Sequence, residues 1–183
     1  MRADARDNRE RILAAANEVF GAGGETASTE EVAKRAGVGI ATVFRHFPTK
    51  QDLLYAVLTE RLAALRDRAL ELATDADAGA AFRTFFTETV TTAPTKLAIA
   101  EALTDAGPLP APPAVGAELR KAFAALLERA QAAGAIRADV GWPEVWALMI
   151  GTSRAEIAEV TGPDPAVRDR AIALIFDGLR PPG

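Results

Sequence analysis

Apolar residues in this chain recur every three or four positions and almost nowhere every second one, and that periodicity decides the fold class. Ile12, Leu13, Ala16, Val19 and Phe20 fall at i, i+1, i+4, i+7 and i+8, a single helical stripe. The same spacing groups Phe82, Phe85, Phe86 and Val90, then Leu97, Ala100 and Leu103. It returns in Val115, Leu119, Ala122, Phe123, Leu126, Leu127 and Ala130, and again in Val167, Ala171, Ile172, Ile175, Phe176 and Leu179. The 41 alanines support the reading, because alanine is the strongest helix former. The expectation is an all-α fold, and counting each stripe and each capped segment gives about nine helices.

Local punctuation places the helix ends. The glycines of Gly21–Gly24 are expected to close the first helix. Ser28 with Glu31 reads as a capping box, opening a short second helix that Gly37 terminates. A third begins near Gly39 and stops before Pro48, since proline disfavours helical geometry in the residue preceding it. Thr49 with Asp52 resembles a second capping box, opening a long fourth helix to about Leu72. A break at Thr74–Gly79 follows, then a loop with four prolines at Gly107–Gly116. Pro143 suits the first turn of a helix over Trp142–Val160, and the last helix starts near Pro165. No internal repeat is present.

Charge and composition exclude several functions. With no cysteine there is no disulfide framework and no thiolate metal site. No apolar run approaches the length of a transmembrane helix, and the charged N-terminus lacks a signal-peptide core, so a cytoplasmic protein without a membrane partner is expected. The net charge of −4 is unevenly placed. Residues 1–50 carry 8 Lys+Arg against 7 Asp+Glu, a balance of +1, while residues 51–183 carry 13 against 18, a balance of −5. A near-neutral head on an acidic body still permits nucleic-acid binding if a few cations share one face.

The two short helices joined by Ala36-Gly37-Val38-Gly39 have the proportions of a helix-turn-helix. On the wheel of the third helix, Val43 and Phe47 point inward beside Val38. Ala41 and Arg45 point away, with Thr42 and Phe44 on the flanks. A small, polar and cationic outer face is what a helix entering a major groove needs; an ordinary surface helix with one arginine remains the alternative. His46 is the only histidine. A nucleophile–histidine–acid set would have to use it, yet it sits among apolar side chains with no acidic neighbour in sequence. A carboxylate-bridged metal bundle needs two Glu-x-x-His motifs, which one histidine preceded by Val43 does not supply. No enzyme, metal or cofactor is expected. A structural side chain near a helix end is the other reading of His46.

From Arg9 to Leu54 the chain resembles the DNA-binding domain of the TetR family of transcriptional regulators. The resemblance rests on Ile12–Phe20, Gly24, Ala27-Ser28-Thr29, Val32-Ala33, Ala36-Gly37-Val38, Thr42-Val43-Phe44-Arg45-His46-Phe47 and Lys50-Gln51-Asp52-Leu53-Leu54. It covers about a quarter of the chain; the remainder most resembles the SbtR-like subgroup. The resemblance implies a helix-turn-helix domain over residues 1–51 and an effector-binding and dimerisation domain over 52–183. It also implies roles that chemistry supports. Ser28 and Thr29 would meet a phosphate, and Ile40, Ala41, Thr42 and Arg45 would face bases, Arg45 able to pair bidentately with guanine. His46 and Lys50 would hold the backbone, with ring contact from Phe44. Three positions depart from the family pattern: Phe44 replaces a usual tyrosine, Gly39 a usual Ser or Thr cap, and Glu25 a frequent aromatic. The departures imply ordinary or slightly weak affinity.

The implied function is a ligand-responsive regulator, a repressor, binding a pseudo-palindromic operator in double-stranded DNA as a homodimer. In the body, Phe82, Phe85, Phe86, Phe123, Trp146 and Met149 are candidate walls for a small apolar or amphipathic effector, although such stripes also serve as plain core. Leu148, Gly151, Thr152 and Ala155, with Ile172, Ile175, Phe176 and Leu179, are the candidate dimer interface. The rival from another class is a helical ligand-binding or protein-interaction module that no longer reads DNA.

Overall fold

The computed structural model describes residues 2–23, 27–105, 114–155 and 164–182, all of whose regular structure is helical. Eight helices appear among them: α1 (Arg2–Gly23), α2 (Thr29–Ala36), α3 (Ile40–His46), α4 (Lys50–Leu72), α5 (Ala78–Asp105), α6 (Ala114–Ala132), α7 (Trp142–Ala155) and α8 (Pro165–Gly178). The count is one below the expected nine because the stripes before and after Pro94 belong to a single helix, α5. An interior proline removes one hydrogen bond and disfavours a helix by about 3 kcal/mol. Buried anchors on both sides outweigh that cost: Phe82, Phe85, Phe86 and Val90 before it, Ile99 and Leu103 after it. α1 ends at Gly23, inside the glycine tract expected to close it. Gly24, Glu25, most of the proline-rich loop and the expected extension of α7 towards Val160 lie outside the described residues.

The chain forms two compact units, and both are discontinuous in sequence. The first contains residues 1–61 and 95–112, the second residues 62–94 and 113–183. Two of the three boundaries, at 61/62 and 94/95, fall inside α4 and α5.

In the first unit, Ile12, Leu13, Ala16 and Phe20 of α1 pack with Val32, Ala33 and Ala36 of α2, Val43 of α3 and Leu53, Leu54 and Val57 of α4. Ile99 and Leu103 of α5 complete this core. Both expected caps form. Ser28 Oγ accepts the Glu31 N–H at 3.1 Å. Thr49 Oγ1 accepts the Asp52 N–H at 3.0 Å, and the Asp52 carboxylate accepts from the Thr49 N–H and hydroxyl at 3.0 and 2.8 Å. Gly39 caps α3 without a side-chain bond.

In the second unit the core is aromatic. Phe123 of α6 lies 6.0 Å from Phe82 and 5.7 Å from Phe85, and Trp146 of α7 meets it edge-on at 5.6 Å. Phe176 of α8 meets Phe82 and Phe86 edge-on at 6.1 and 5.3 Å. Arg83, exposed on α5, sits over the Phe176 ring at 4.1 Å.

A forked ion pair joins α4 to α5 in this unit. Arg68 donates from Nε and Nη2 to the two Glu88 carboxylate oxygens at 2.8 Å each, and from Nη1 to Glu71 at 2.7 Å. These bonds hold the Glu88 carboxyl below the usual carboxylate range, against a smaller opposing effect of burial. A carboxylate whose pKa is lowered by folding stabilises the protein above its unfolded pKa, and loses that contribution as pH falls through the folded value. Glu88→Gln is therefore expected to lower the melting temperature at pH 7, by an amount that shrinks as the pH is lowered from 7 towards 3. Thermal melts of both proteins across that range check the sign.

Candidate nucleic-acid interface and effector site

The turn between α2 and α3 is built on Gly37, the α2 C-cap, which adopts φ 66° and ψ 37°. Its N–H bonds to Ala33 O and Lys34 O, and the Val38 N–H returns to Ala33 O at 3.0 Å. That left-handed conformation is one that residues with a Cβ rarely adopt. Arg11 closes the turn from α1: its Nη2 donates to Ala36 O and, at 3.4 Å, to Gly37 O, placing a cation at the negative end of α2. A Cβ on residue 37 would stand 2.8 Å from Arg11 Nη2. Gly37→Val is accordingly expected to destabilise the first unit by about 1–3 kcal/mol, from strain alone, and to displace Arg11 as well. Hydrogen exchange at the α2–α3 amides, set beside an unchanged second unit, measures it.

α3 divides as its wheel predicts. Val43 is fully buried and Phe47, its C-cap, nearly so. Ile40, Ala41, Phe44 and Arg45 are exposed, and Thr42 and His46 are half-buried. Phe44 is 41% exposed and Ile40 37%, unusual values for large apolar side chains, so this short helix presents two hydrophobic groups and one guanidinium to the outside. Arg9 lies 5.1 Å over the Phe47 ring and fixes the end of α3 against α1.

Two expected phosphate contacts have other engagements. Thr29 is only 8% exposed, so its side chain turns into the core and leaves Ser28 as the outward hydroxyl of the pair. Lys50 Nζ donates to Ala27 O at 2.9 Å and sits 5.7 Å over the Phe20 ring. Lys50 thus ties the start of α4 to the segment before α2. An ammonium has three donors, so this bond leaves capacity for a phosphate. Sequence spacing gave no sign of Arg11 or of the Lys50 tether, because both partners lie more than twenty residues away.

Of the candidate effector residues, Phe82, Phe85, Phe86, Phe123 and Met149 are fully buried and pack as one cluster, with Trp146 half-buried at its edge. Of the candidate interface residues, Leu148 and Gly151 are exposed, and Thr152 and Ile175 are half-buried. The Ala155 side chain lies outside the described residues. Ile172, Phe176 and Leu179 are each 4% exposed and belong to the chain's own core. The face α8 turns outward instead carries Val167 and Leu174, 53% and 60% exposed. Both sides of α8 carry apolar residues, so the wheel alone does not separate the side packed into the core from the outer one.

Among the described residues no helix is long and apolar enough to cross a membrane, and no cluster of three or more metal-ligating side chains forms.

Comparison with known proteins agrees with this architecture. Residues 12–57 match the family model of bacterial regulatory proteins of the tetR family, and residues 77–181 match the C-terminal domain of SbtR-like transcriptional regulators. A TetR transcription regulatory protein from Mycobacterium vanbaalenii is 36% identical, with TM-score 0.76 over 98% of each chain. A TetR transcriptional regulator from Streptomyces coelicolor is 31% identical, with TM-score 0.77 over 96% of this chain and 99% of that one. An HTH-type transcriptional regulator of Staphylococcus aureus is 43% identical over 63 residues, 34% of each chain. The chain thus spans about a third of the length of that curated relative. The match falls on a family of regulators rather than of enzymes. A glycine-pinned helix-turn-helix, an aromatic helical body and two family models covering most of the sequence lead to one assignment: this chain belongs to the TetR family of transcriptional regulators.

Proposed function

We propose that the chain is a ligand-responsive DNA-binding regulator, a repressor, which binds a pseudo-palindromic operator as a homodimer. The observation that carries this reading is the outer face of α3. Ile40, Ala41, Phe44 and Arg45 stand exposed on a helix whose other side is locked into the core by Val43 and Phe47. Arg45 provides guanine-directed hydrogen bonds, Ile40 and Phe44 provide apolar contact to groove walls or thymine methyls, and Ser28, His46 and Lys50 grip phosphates. DNA contact belongs to residues 1–51, effector binding and dimerisation to 52–183.

One seven-residue helix reads few base pairs, so two-fold pairing doubles the site, with recognition helices roughly 34–36 Å apart or a modest increment beyond. The surface for pairing is the exposed apolar side of α7 and α8: Leu148 and Gly151 with Val167 and Leu174. The aromatic cluster around Phe123 receives the effector, which binds the DNA-free state more tightly and so lowers operator affinity.

The test is a gel shift on genomic fragments over a salt series. Selective retention that weakens steeply with salt is expected. Absence of any selectively retained fragment would favour a helical interaction module that does not read DNA. Light scattering on Leu174→Arg is expected to show a monomer where the parent is dimeric; an unchanged dimer would remove α8 from the interface.

A further inference from the structure

Thr89 lies on the inward stripe of α5, one turn beyond Phe85 and two beyond Phe82. It is 3% exposed, and its Oγ1 has no hydrogen-bond partner. Five other hydroxyls inside helices behave differently. Thr59, Thr91, Thr92, Thr152 and Ser153 each donate to the carbonyl one turn back, at 2.7 to 2.8 Å. Thr89 does not use that bond, and a valine of the same shape would fill the position without a polar atom to satisfy. A water bridging there would need two to four polar partners, whereas the described buried residues beside Thr89 on that stripe are Phe82, Phe85, Phe86 and Val90.

The chemistry of the surroundings defines what the hydroxyl suits. Among the described residues of this unit, the buried polar residues are Thr89 and Ser153, and the Ser153 hydroxyl is committed to Met149 O at 2.7 Å. The remaining orphan atom is Arg129 Nη1, on a guanidinium whose Nη2 is tied to Asp75 O just before α5 begins. Thr89 stands eleven residues beyond Ala78, the start of that helix, or about 16 Å along its axis. Among the described residues, the charges beside Thr89, Glu88 and Arg68, are committed to each other and offer an ionic ligand no free counterion, and burying an unpaired charge is strongly unfavourable. Aromatic walls and one unspent hydroxyl suit a ring bearing a single acceptor.

We propose that Thr89 Oγ1 is the polar anchor of the effector site, and that the effector is a small, uncharged, largely aromatic molecule carrying one hydrogen-bond acceptor such as a carbonyl oxygen. This rests on the effector-site reading given above.

The test uses the full chain and two probes of matched shape, acetophenone and ethylbenzene, with benzoate and phenyltrimethylammonium as charged controls. Binding is read by tryptophan fluorescence and calorimetry on the parent, Thr89→Val and Thr89→Ser. Acetophenone affinity is expected to fall roughly tenfold in Thr89→Val, equivalent to one lost hydrogen bond, and to stay within about threefold in Thr89→Ser. Ethylbenzene affinity is expected to be the same in all three, and the charged probes to bind none of them. The melting temperature of Thr89→Val should equal or exceed the parent's, so its loss of affinity is not a loss of fold. Equal losses for both neutral probes, no change on Thr89→Val, tight binding of benzoate, or no binding of acetophenone to the parent would each overturn the inference. The gel shift on the same preparations keeps the two readings apart. Selective DNA retention with failed acetophenone binding sinks the ligand assignment alone, while absent retention sinks the regulator.

Discussion

Phe123→Ala is expected to lower the stability of the second unit by about 3–5 kcal/mol, the largest effect of any single substitution considered for this chain. Phe123 is fully buried and touches three rings from two other helices: Phe82 and Phe85 of α5 and Trp146 of α7. Truncation removes the burial of a whole aromatic side chain and leaves a cavity that the surrounding structure fills only in part. A domain of ordinary stability has about 5–15 kcal/mol in total, so the variant is expected to be partly unfolded near physiological temperature. Urea denaturation followed by tryptophan emission measures the shift, and Trp146 should lose its edge contact and emit at longer wavelength. A shift below about 1 kcal/mol would mean that the aromatic cluster repacks freely.

Arg45→Ala is expected to flatten base preference by about 1–3 kcal/mol, or roughly 5–150-fold between the best site and its single-base competitors. The side chain is exposed on α3 and its neighbour Val43 holds the helix in place, so the fold should be unaffected. Lys50→Ala provides the contrast. It should weaken all sequences alike, and because Lys50 also bonds Ala27 O it should lower the melting temperature too. A change of sequence preference in Lys50→Ala would reverse this division of roles. Competition gel shifts against a panel of single-base variants of the operator distinguish the cases.

Much of the head was legible because its signals are local. Ser28, Gly37, Thr49 and Asp52 act on backbone groups within about four residues, so spacing alone reveals them. Val43 and Phe47 were placed inward by the helical period. What escaped reading depends on partners distant in sequence. Nothing near Arg11 announces that it will close the end of α2, and nothing near Pro94 announces that α5 continues through it. Those outcomes are decided by packing at both ends of the helix. α8 was ambiguous for a different reason: with apolar residues on two sides, Ile172 and Phe176 are as good a surface on the wheel as Val167 and Leu174. Only the position of α5 and its rings shows which side is already occupied.

The return of α5 into the first unit has a practical consequence for anyone wishing to transplant the head onto another body. Ile99 and Leu103 are 0% and 3% exposed within the core of that unit, yet they come from a segment nearly forty residues past its first stretch. A graft that carries residues 1–61 alone leaves a hole where those two side chains belong, and exposes the apolar surface they cover. The recipient must present an aliphatic pair at the matching turn of its own helix. Chimaeric regulators made from this protein should therefore exchange the head together with residues 95–112, as a two-part cassette rather than a single N-terminal piece.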